Sequence, residues 1–183
     1  PVQAMQGYDT SERVIYVGTF AKLLFPALRL GFMVIPEFLL TDFSRLLSIT
    51  GQFAPLLLQA ALSDFIDEGH MSMHLKRMRR IYATRRQAFR QHAQNDLGEW
   101  MTLVPSDAGI QFVGELAPGL NDLAIAERAR RNGMNVSPLS MHYRHTKPSS
   151  GLVMGYAMIN EANMPAAFRS LRRIFVEAAG AAA

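Results

Sequence analysis

Residues 14–29 read VIYVGTFAKLLFPALR and join an apolar, strand-like run to a turn that carries one lysine and one arginine. Residues 14–17 are all β-branched or aromatic, and such a short run is typical of a strand buried on both faces. Gly18 and Thr19 then interrupt the run just before Lys22. The stretch therefore predicts a buried strand that ends in a backbone turn and presents Lys22 at that turn.

The side chains of Lys22, Thr19 and Arg29 form a chemically coherent set. Low dielectric at the end of a buried strand disfavours the ammonium form of a lysine, and so does a neighbouring cation such as Arg29. A neutral lysine amine attacks aldehydes to form a Schiff base. A threonine hydroxyl and the planar donors of an arginine both suit a phosphate group. The set indicates a site for an aldehyde-bearing phosphate cofactor, whereas by spacing alone two solvated surface cations are the commoner explanation.

The wider segment GTFAKLLFPALRLGFMVIP, residues 18–36, resembles the lysine segment of fold-type-I pyridoxal-phosphate (PLP) proteins. The resemblance is to the form found in MocR-type transcription regulators, whose effector domain is an aminotransferase relative. It implies that Lys22 forms the Schiff base with PLP and that Thr19 and Arg29 bind the PLP phosphate. Ala21 stands where serine is commoner in the family, which leaves one minor hydrogen bond unmade.

Two later segments strengthen the resemblance and appear in the family's order. RMRRIYATRRQAF, residues 77–89, is similar to the family's linking helix, and VSPLSMHY followed by SSGLVMGYAMI, residues 136–159, is similar to its C-terminal motif. The resemblance covers the whole chain and implies an α/β fold. Residues 1–95 would be the C-terminal part of a fold-type-I aminotransferase-like large domain, including the long linking helix, and residues 96–183 a small α+β C-terminal domain.

The spacing of apolar residues predicts the elements within this division. Helices are expected to start at the proline and asparagine or aspartate positions that suit a first turn and to end at glycines. The predicted helices cover residues 36–50, 55–68, 71–97, 121–133 and 165–178. The predicted strands cover residues 14–17, 30–35, 100–104, 109–116, 135–138 and 151–158.

The composition sets broad limits on the class of protein. The chain has 183 residues, 49% of them hydrophobic, and no cysteine. No apolar run reaches the roughly 18 residues that a membrane-spanning helix needs, so we expect a globular, cytoplasmic protein with no membrane span. The net charge of +4 permits contact with anions, but the densest basic cluster, residues 76–90, is typical of a solvated helix face. His70 and His74 have metal-like spacing without a third ligand nearby, and we predict no metal site.

The resemblance also implies a function. It predicts a PLP-binding, effector-sensing and dimerisation domain of a transcription regulator, which forms a homodimer and binds an amine or amino-acid effector. The aspartate and tyrosine that contact the PLP ring in the family would lie upstream of Pro1. The DNA-binding winged helix is likewise expected N-terminal to this chain, so DNA would be bound only through a domain not included in it.

One position departs from the family pattern and affects the prediction of the activity. Ordinary fold-type-I aminotransferases carry an arginine on the strand equivalent to residues 152–156, where it clamps the substrate carboxylate, and this chain has Val153 there. Standard transamination of α-amino acids is therefore disfavoured, unless Arg144 or Lys147 takes the carboxylate instead of being a solvated loop charge. Two alternatives stay open: a PLP-dependent aminotransferase acting on an amino acid or amine, and a structural dimerisation module without cofactor.

Overall fold

The computed structural model describes residues 3–51, 53–106, 108–146 and 148–180. The chain packs as two compact units, residues 1–76 and 77–183. The division falls inside a single long helix, α3 of this description (His70–Leu97), which has 28 residues. The domain boundary predicted after residue 95 lies further along the same helix and stays a prediction.

The first unit contains a two-stranded antiparallel ribbon and two helices before α3. Strand β1 (Tyr16–Thr19) pairs with β2 (Gly31–Val34), with Tyr16 opposite Val34 and Thr19 opposite Gly31. Helix α1 (Leu40–Thr50) and helix α2 (Leu56–Asp67) follow. Gly51 ends α1 with a φ of 63°, a left-handed conformation that glycine adopts without a Cβ clash. The two helices lie where the apolar spacing predicted them.

The prediction of a strand buried on both faces is wrong for β1. Tyr16, Val17 and Thr19 are exposed, and 67% of Val17 is accessible to solvent. The strand also starts later than predicted and includes Gly18 and Thr19, which were expected to form the turn. A Cβ at Gly18 would clash, because the Phe32 ring on β2, opposite in the pairing, occupies the space beside the Gly18 Cα. An aromatic ring that covers a strand glycine in this way compensates for the missing side chain.

The second unit is a four-stranded antiparallel sheet with helices, as the α+β prediction required. The order of its strands is β3-β4-β6-β5. The strands are β3 (Met101–Leu103), β4 (Gln111–Leu116), β5 (Val136–Pro138) and β6 (Gly151–Gly155), and the remaining helices are α4 (Asp122–Arg131) and α5 (Met164–Gly180). Each of these elements overlaps a predicted one.

Strand β3 lies at one edge of this sheet. The backbone bonds from Ala117 N–H to the Trp100 carbonyl and from Val104 N–H to the Val113 carbonyl, both 2.8 Å, bracket its pairing with β4. Antiparallel partners exchange hydrogen bonds at every second residue. Met101 and Leu103 therefore direct their backbone N–H and C=O groups away from β4.

The core of the second unit lies between one face of the sheet and the helices. Phe89 on α3 stacks on Phe112 of β4 with 5.3 Å between ring centroids and meets Phe168 of α5 edge-on at 4.9 Å. Aromatic pairs at these separations add to the hydrophobic contribution of burial. The largest of the almost fully buried side chains are Leu97, Phe112, Ile125, Leu152, Met164, Ile174 and Phe175.

Helix α4 begins at a side-chain cap, as predicted for Asn121 or Asp122. The Oδ1 atom of Asn121 accepts a hydrogen bond of 3.1 Å from the backbone N–H of Ala124. This bond satisfies one of the N–H groups that have no partner in the first turn of a helix. Gly133, with a φ of 75°, follows the end of the helix.

Among the residues described, no helix combines the length and apolar character needed to cross a membrane.

Glu127 on α4 is expected to stay ionised at unusually low pH. Arg130 donates two hydrogen bonds of 2.9 Å to its carboxylate, and Arg131 donates a third of 3.0 Å. These contacts, with Arg130 the larger cause, lower the pKa of Glu127 from 4.5 to about 2. Because the pKa is lower in the folded state, the cluster stabilises the fold above pH 4.5, and this contribution is lost as the pH falls towards 2.

An NMR titration of the Glu127 carboxyl carbon checks this expectation. The midpoint should lie near 2 in the native protein, and Arg130→Gln should raise it because two of the donated hydrogen bonds are then weakened or lost. A native midpoint at the ordinary 4.5 would show that the cluster does not form in solution.

Candidate functional site

The loop between β1 and β2 carries Lys22 and is closed by backbone hydrogen bonds. The N–H of Phe20 donates to the carbonyl of Leu30 at 3.1 Å, which joins the two ends of the loop. The N–H groups of Leu23 and Leu24 both donate to the carbonyl of Phe20, at 3.1 and 2.8 Å. These two bonds wrap the backbone into a tight turn around Lys22. The turn was predicted at Gly18 and Thr19, which belong to β1. It lies further along the chain, from Phe20 to Leu24, and there it contains Lys22.

The second half of the loop ends in a strained arginine. A short 3-10 helix (Pro26–Leu28) leads to Arg29, which has a φ of 53° and a ψ of 27°. Among the described residues other than glycine, only Glu12 and Arg29 have a positive φ. A non-glycine residue in this region costs about 1–2 kcal/mol of backbone strain. Leu28 and Leu30 are buried on either side, so the packing of these two leucines holds Arg29 in this conformation.

Thr19 is the last residue of β1 and lies at the start of the same loop. It pairs with Gly31, and Arg29 lies two residues before that glycine. The Thr19 hydroxyl oxygen accepts a hydrogen bond of 3.2 Å from the N–H of Ala21. Its own hydrogen remains available to donate to a ligand. The strand pairing thus places Thr19 and Arg29 at the two ends of the loop that contains Lys22.

His74 contacts the lysine loop, a contact that no sequence pattern indicated. Its ring Nε2 lies 2.9 Å from the carbonyl oxygen of Leu23, so this nitrogen donates as an N–H. His70, one helical turn earlier, instead lies 3.0 Å from the carboxylate of Glu68. Within the described residues, no three histidine, aspartate or glutamate side chains are grouped to hold a metal ion. His70 and His74, whose spacing resembled that of metal ligands, therefore contact two different groups.

The residues of the loop fit a phosphorylated aldehyde by their chemistry. Thr19, Lys22 and Arg29 are all exposed. In the part of the chain that the structure describes, neither the Lys22 amine nor the Arg29 guanidinium has a hydrogen bond or ion pair. An amine, a hydroxyl and a guanidinium without competing partners match the aldehyde and phosphate of PLP. The expectation that Lys22 lies in low dielectric is wrong here, because β1 is not buried.

Val153 lies in the middle of β6, between β4 and β5. It is directly opposite Val113 on one side and Ser137 on the other. Leu152 and Met154 point into the core, and Val153 is half-buried on the opposite face of the sheet. None of the three central positions on this face therefore offers a cation to a carboxylate. Arg144 is exposed in the segment between β5 and β6, and Lys147 lies outside the described residues.

Comparison with known proteins places this chain in a family. The family model for aminotransferase class I and II matches residues 2–171. The chain belongs to the aminotransferase class I and II family. This match confirms the predicted α/β, fold-type-I architecture. It also confirms the aminotransferase family on which the prediction of PLP was based.

Curated relatives of this family member include transcription regulators. The chain is 47% identical over 183 residues to the probable rhizopine catabolism regulatory protein MocR of Rhizobium meliloti, covering 99% of this chain and 37% of that protein. It is 28% identical over 182 residues to the regulator TauR of Rhodobacter capsulatus, covering 93% and 35%. The chain thus spans little more than a third of the length of these relatives. The predicted resemblance to MocR-type regulators is confirmed.

Solved aminotransferases share the fold of this family member. The kynurenine aminotransferase of Pyrococcus horikoshii, solved in complex with PMP, matches with a TM-score of 0.83 at 23% identity, over 94% of this chain and 43% of that one. The α-aminoadipate aminotransferase LysN of Thermus thermophilus, complexed with N-(5'-phosphopyridoxyl)-L-leucine, matches with a TM-score of 0.82 at 23% identity, over 91% and 42%. At this identity the match shows the fold alone.

Proposed function

We propose that this chain is the PLP-binding, aminotransferase-like effector-sensing and dimerisation part of a transcription regulator. The observation that carries the proposal is the loop between β1 and β2. It contains Lys22, whose amine has no partner among the described residues, it has Thr19 and Arg29 at its two ends, and it holds Arg29 in a strained conformation. Backbone strain of this kind tends to be retained at functional sites.

Each of the three side chains has a defined part in holding the cofactor. PLP supplies, when bound, an aldehyde that reacts with primary amines and a ring that withdraws electrons. Lys22 provides the amine for covalent attachment. The planar guanidinium of Arg29 donates to phosphate oxygens, and the hydroxyl of Thr19 donates to the same group while its oxygen accepts from Ala21 N–H. An effector amine that replaced Lys22 on the aldehyde would release the lysine as a primary amine, which could then form other contacts.

The relatives support a regulatory use of this chemistry. The MocR relative is named as a probable regulatory protein of rhizopine catabolism, and TauR as an HTH-type transcriptional regulator. In this proposal the protein is cytoplasmic, and an amine or amino-acid effector reacts at the Lys22 site. The second unit changes its position in response. DNA is bound through a domain outside this chain. A ligand shifts the equilibrium between two conformations of a protein only by the difference between its affinities for them. The effector therefore has to bind one conformation of this chain more tightly than the other.

Exposed apolar side chains in the first unit support a homodimer. Patches of this kind, when contiguous, mark protein interaction sites. Among the described residues of this unit, the large apolar side chains that are more than half exposed are Met5, Tyr8, Val17, Phe25, Phe38, Leu46, Ile49, Phe53, Leu56, Leu57 and Met73. A second copy of the chain would remove this apolar area from water.

Val153 supports effector sensing over ordinary transamination. An arginine on a central strand supplies bidentate, charge-assisted binding of a carboxylate, and valine supplies neither charge nor donors. The neighbouring side chains on the same face, Val113 and Ser137, are also uncharged. If an effector binds against this face, the protein would recognise groups of the effector other than an α-carboxylate.

Covalent capture of PLP tests the proposed function. The protein is mixed with PLP, reduced with borohydride and mapped by peptide mass spectrometry. The sequence contains three lysines, Lys22, Lys76 and Lys147, so the adduct can be assigned among few positions. We expect the phosphopyridoxyl adduct on Lys22, its complete loss in Lys22→Ala and its retention in Lys76→Ala.

The adduct map, together with a turnover assay, separates the competing functions. An adduct shared evenly among the lysines, or equally abundant in Lys22→Ala, would contradict the cofactor site and favour a dimerisation module without cofactor. Steady turnover of an amino donor by the PLP-loaded protein would instead favour the aminotransferase.

A further inference from the structure

His74 on α3 donates a hydrogen bond to the lysine turn, residues 20–24 of the loop between β1 and β2. This is a single turn of helix, because the N–H of Leu24 donates to the carbonyl four residues earlier. A helix leaves its last carbonyl groups without backbone partners. Among the described residues, no backbone N–H donates to the carbonyl groups of residues 21–23. The Leu23 carbonyl is bonded instead by the ring Nε2 of His74, 2.9 Å away.

The bond from His74 holds the end of the lysine turn that backbone bonds leave unattached. A single turn of helix is unstable by itself, because few hydrogen bonds offset the ordering of its residues. The start of the turn is attached to the strand pair by the bond from Phe20 N–H to the Leu30 carbonyl. After the turn, the next buried side chain is Leu28. Within the described residues, His74 is the only side chain outside residues 19–30 that hydrogen-bonds the turn.

His74 can make this bond in both of its common charge states. Its Nε2 carries a hydrogen in one neutral tautomer and also in the imidazolium ion, so protonation does not remove the donor. The ring is half-buried and belongs to a helix of 28 residues. A side chain on a helix is held more precisely than one on a loop. His74 therefore gives the lysine turn a rigid point of attachment.

We propose that His74 is a positioning residue for Lys22. Its bond to the carbonyl of the next residue, Leu23, fixes the backbone from which the Lys22 side chain extends, and so narrows the directions that the amine can take. An oriented group reacts faster because less of its freedom is lost in the transition state. The inference rests on the function proposed above, in which the Lys22 amine reacts with the aldehyde of PLP.

Two substitutions of nearly equal size isolate the donor. His74→Gln keeps an N–H group, because the side-chain amide of glutamine reaches about as far as Nε2 of histidine. His74→Met has a similar length and no N–H. Both new residues favour helix formation, so the two variants should fold alike. A difference between them therefore reports the hydrogen bond and not the removal of the ring.

Timed capture of PLP measures the positioning. Capture joins the Lys22 nitrogen to the aldehyde carbon and releases one water, and borohydride added at intervals reduces the new C=N bond. The adduct on Lys76, which is exposed in the same protein, corrects for differences in reagent and protein concentration. We expect His74→Met to slow capture at Lys22 about threefold to tenfold, the range expected for one hydrogen bond, and His74→Gln to stay near the wild-type rate.

Hydrogen exchange tests the same bond without PLP. The N–H groups of Leu23 and Leu24 both donate inside the lysine turn, so they exchange with solvent when the turn opens. In NMR exchange measurements on the PLP-free protein, His74→Met should accelerate exchange at both amides by a similar factor, about threefold to tenfold. His74→Gln should leave both rates near those of the wild type.

His70→Met is the matched control. It makes the same substitution one helical turn earlier, where the ring contacts Glu68 and not the lysine turn. We expect unchanged capture and unchanged exchange in this variant. Equal changes in His70→Met and His74→Met, or no change in His74→Met, would overturn the positioning role. A loss in His74→Gln as large as that in His74→Met would overturn it too, because the donor would then not be the cause.

The two measurements distinguish a failure of this inference from a failure of the proposed function. An adduct that forms on Lys22 equally fast in the wild type and in His74→Met would leave the cofactor site intact and remove His74 from it. Absence of a Lys22 adduct in the wild type would contradict the proposed function and, with it, the positioning role, even if exchange still showed the hydrogen bond.

Discussion

Replacing Arg29 with glycine is expected to weaken PLP binding about a hundredfold and, at the same time, to stabilise the folded protein by about 0.5–1 kcal/mol. Affinity falls because the guanidinium no longer pairs with the phosphate. Stability rises because Arg29 has a φ of 53°, which glycine adopts without a Cβ clash. A PLP titration measures the first effect, and thermal unfolding without PLP measures the second.

Two variants separate the causes. Arg29→Ala lacks the guanidinium and keeps the strained backbone, so it should bind PLP weakly and gain no stability. Glu12→Gly relieves the same strain, also at a φ of 53°, and should leave PLP affinity unchanged. An Arg29→Gly protein that bound PLP as tightly as the wild type would remove Arg29 from the proposed site.

Phe112→Ala is expected to destabilise residues 77–183 by about 3–5 kcal/mol. The side chain is 1% exposed and contacts Phe89 and Tyr156 at 5.3 and 5.2 Å between ring centroids. The guanidinium groups of Arg86 and Arg90 lie 5.8 and 5.9 Å from its ring. Alanine would leave a cavity and remove all of these contacts. The loss is a large part of the roughly 5–15 kcal/mol that stabilises a whole domain.

The chain offers a local probe for this measurement. Trp100 is the one tryptophan of the sequence, and its ring stacks on Phe175 at 6.0 Å within the same unit. Urea unfolding followed by tryptophan fluorescence therefore reports on residues 77–183. Met158→Ala, at a side chain 96% exposed, is the control and should shift the free energy by no more than about 0.5 kcal/mol. Equal shifts in the two variants would contradict the assigned core.

The regular elements were predictable because their apolar residues follow simple periods. Leu152 and Met154 alternate with Val153 on β6, and Phe89, Ala93 and Leu97 recur at one-turn intervals on α3; all but Val153 are buried. Caps were equally visible, since Asn121 precedes an apolar helical pattern. Local chemistry decides these features, so one sequence contains enough information for them.

Other features depend on residues that are distant in the sequence. The buried Asp122 carboxylate accepts hydrogen bonds from Ser140 and Gly151, 18 and 29 positions away, and the contact of His74 with the Leu23 carbonyl links residues 51 positions apart. Neither has a periodic signal. The burial of β1 was predicted wrongly because an apolar run records what a strand could bury and not which segment covers it. The roles of Lys22, Thr19 and Arg29 came from a resemblance and stay a proposal.

The β3 edge, one of the two edges of the second sheet, bears on how the protein behaves at high concentration. Strand β3 has three residues, and only Met101 and Leu103 turn backbone groups away from the sheet. Pro105 follows closely and has no N–H to donate. A strand from another molecule would find too few donors and acceptors here to extend the sheet. Short edges that end in proline protect proteins against edge-to-edge aggregation, and β3 gives this unit such protection.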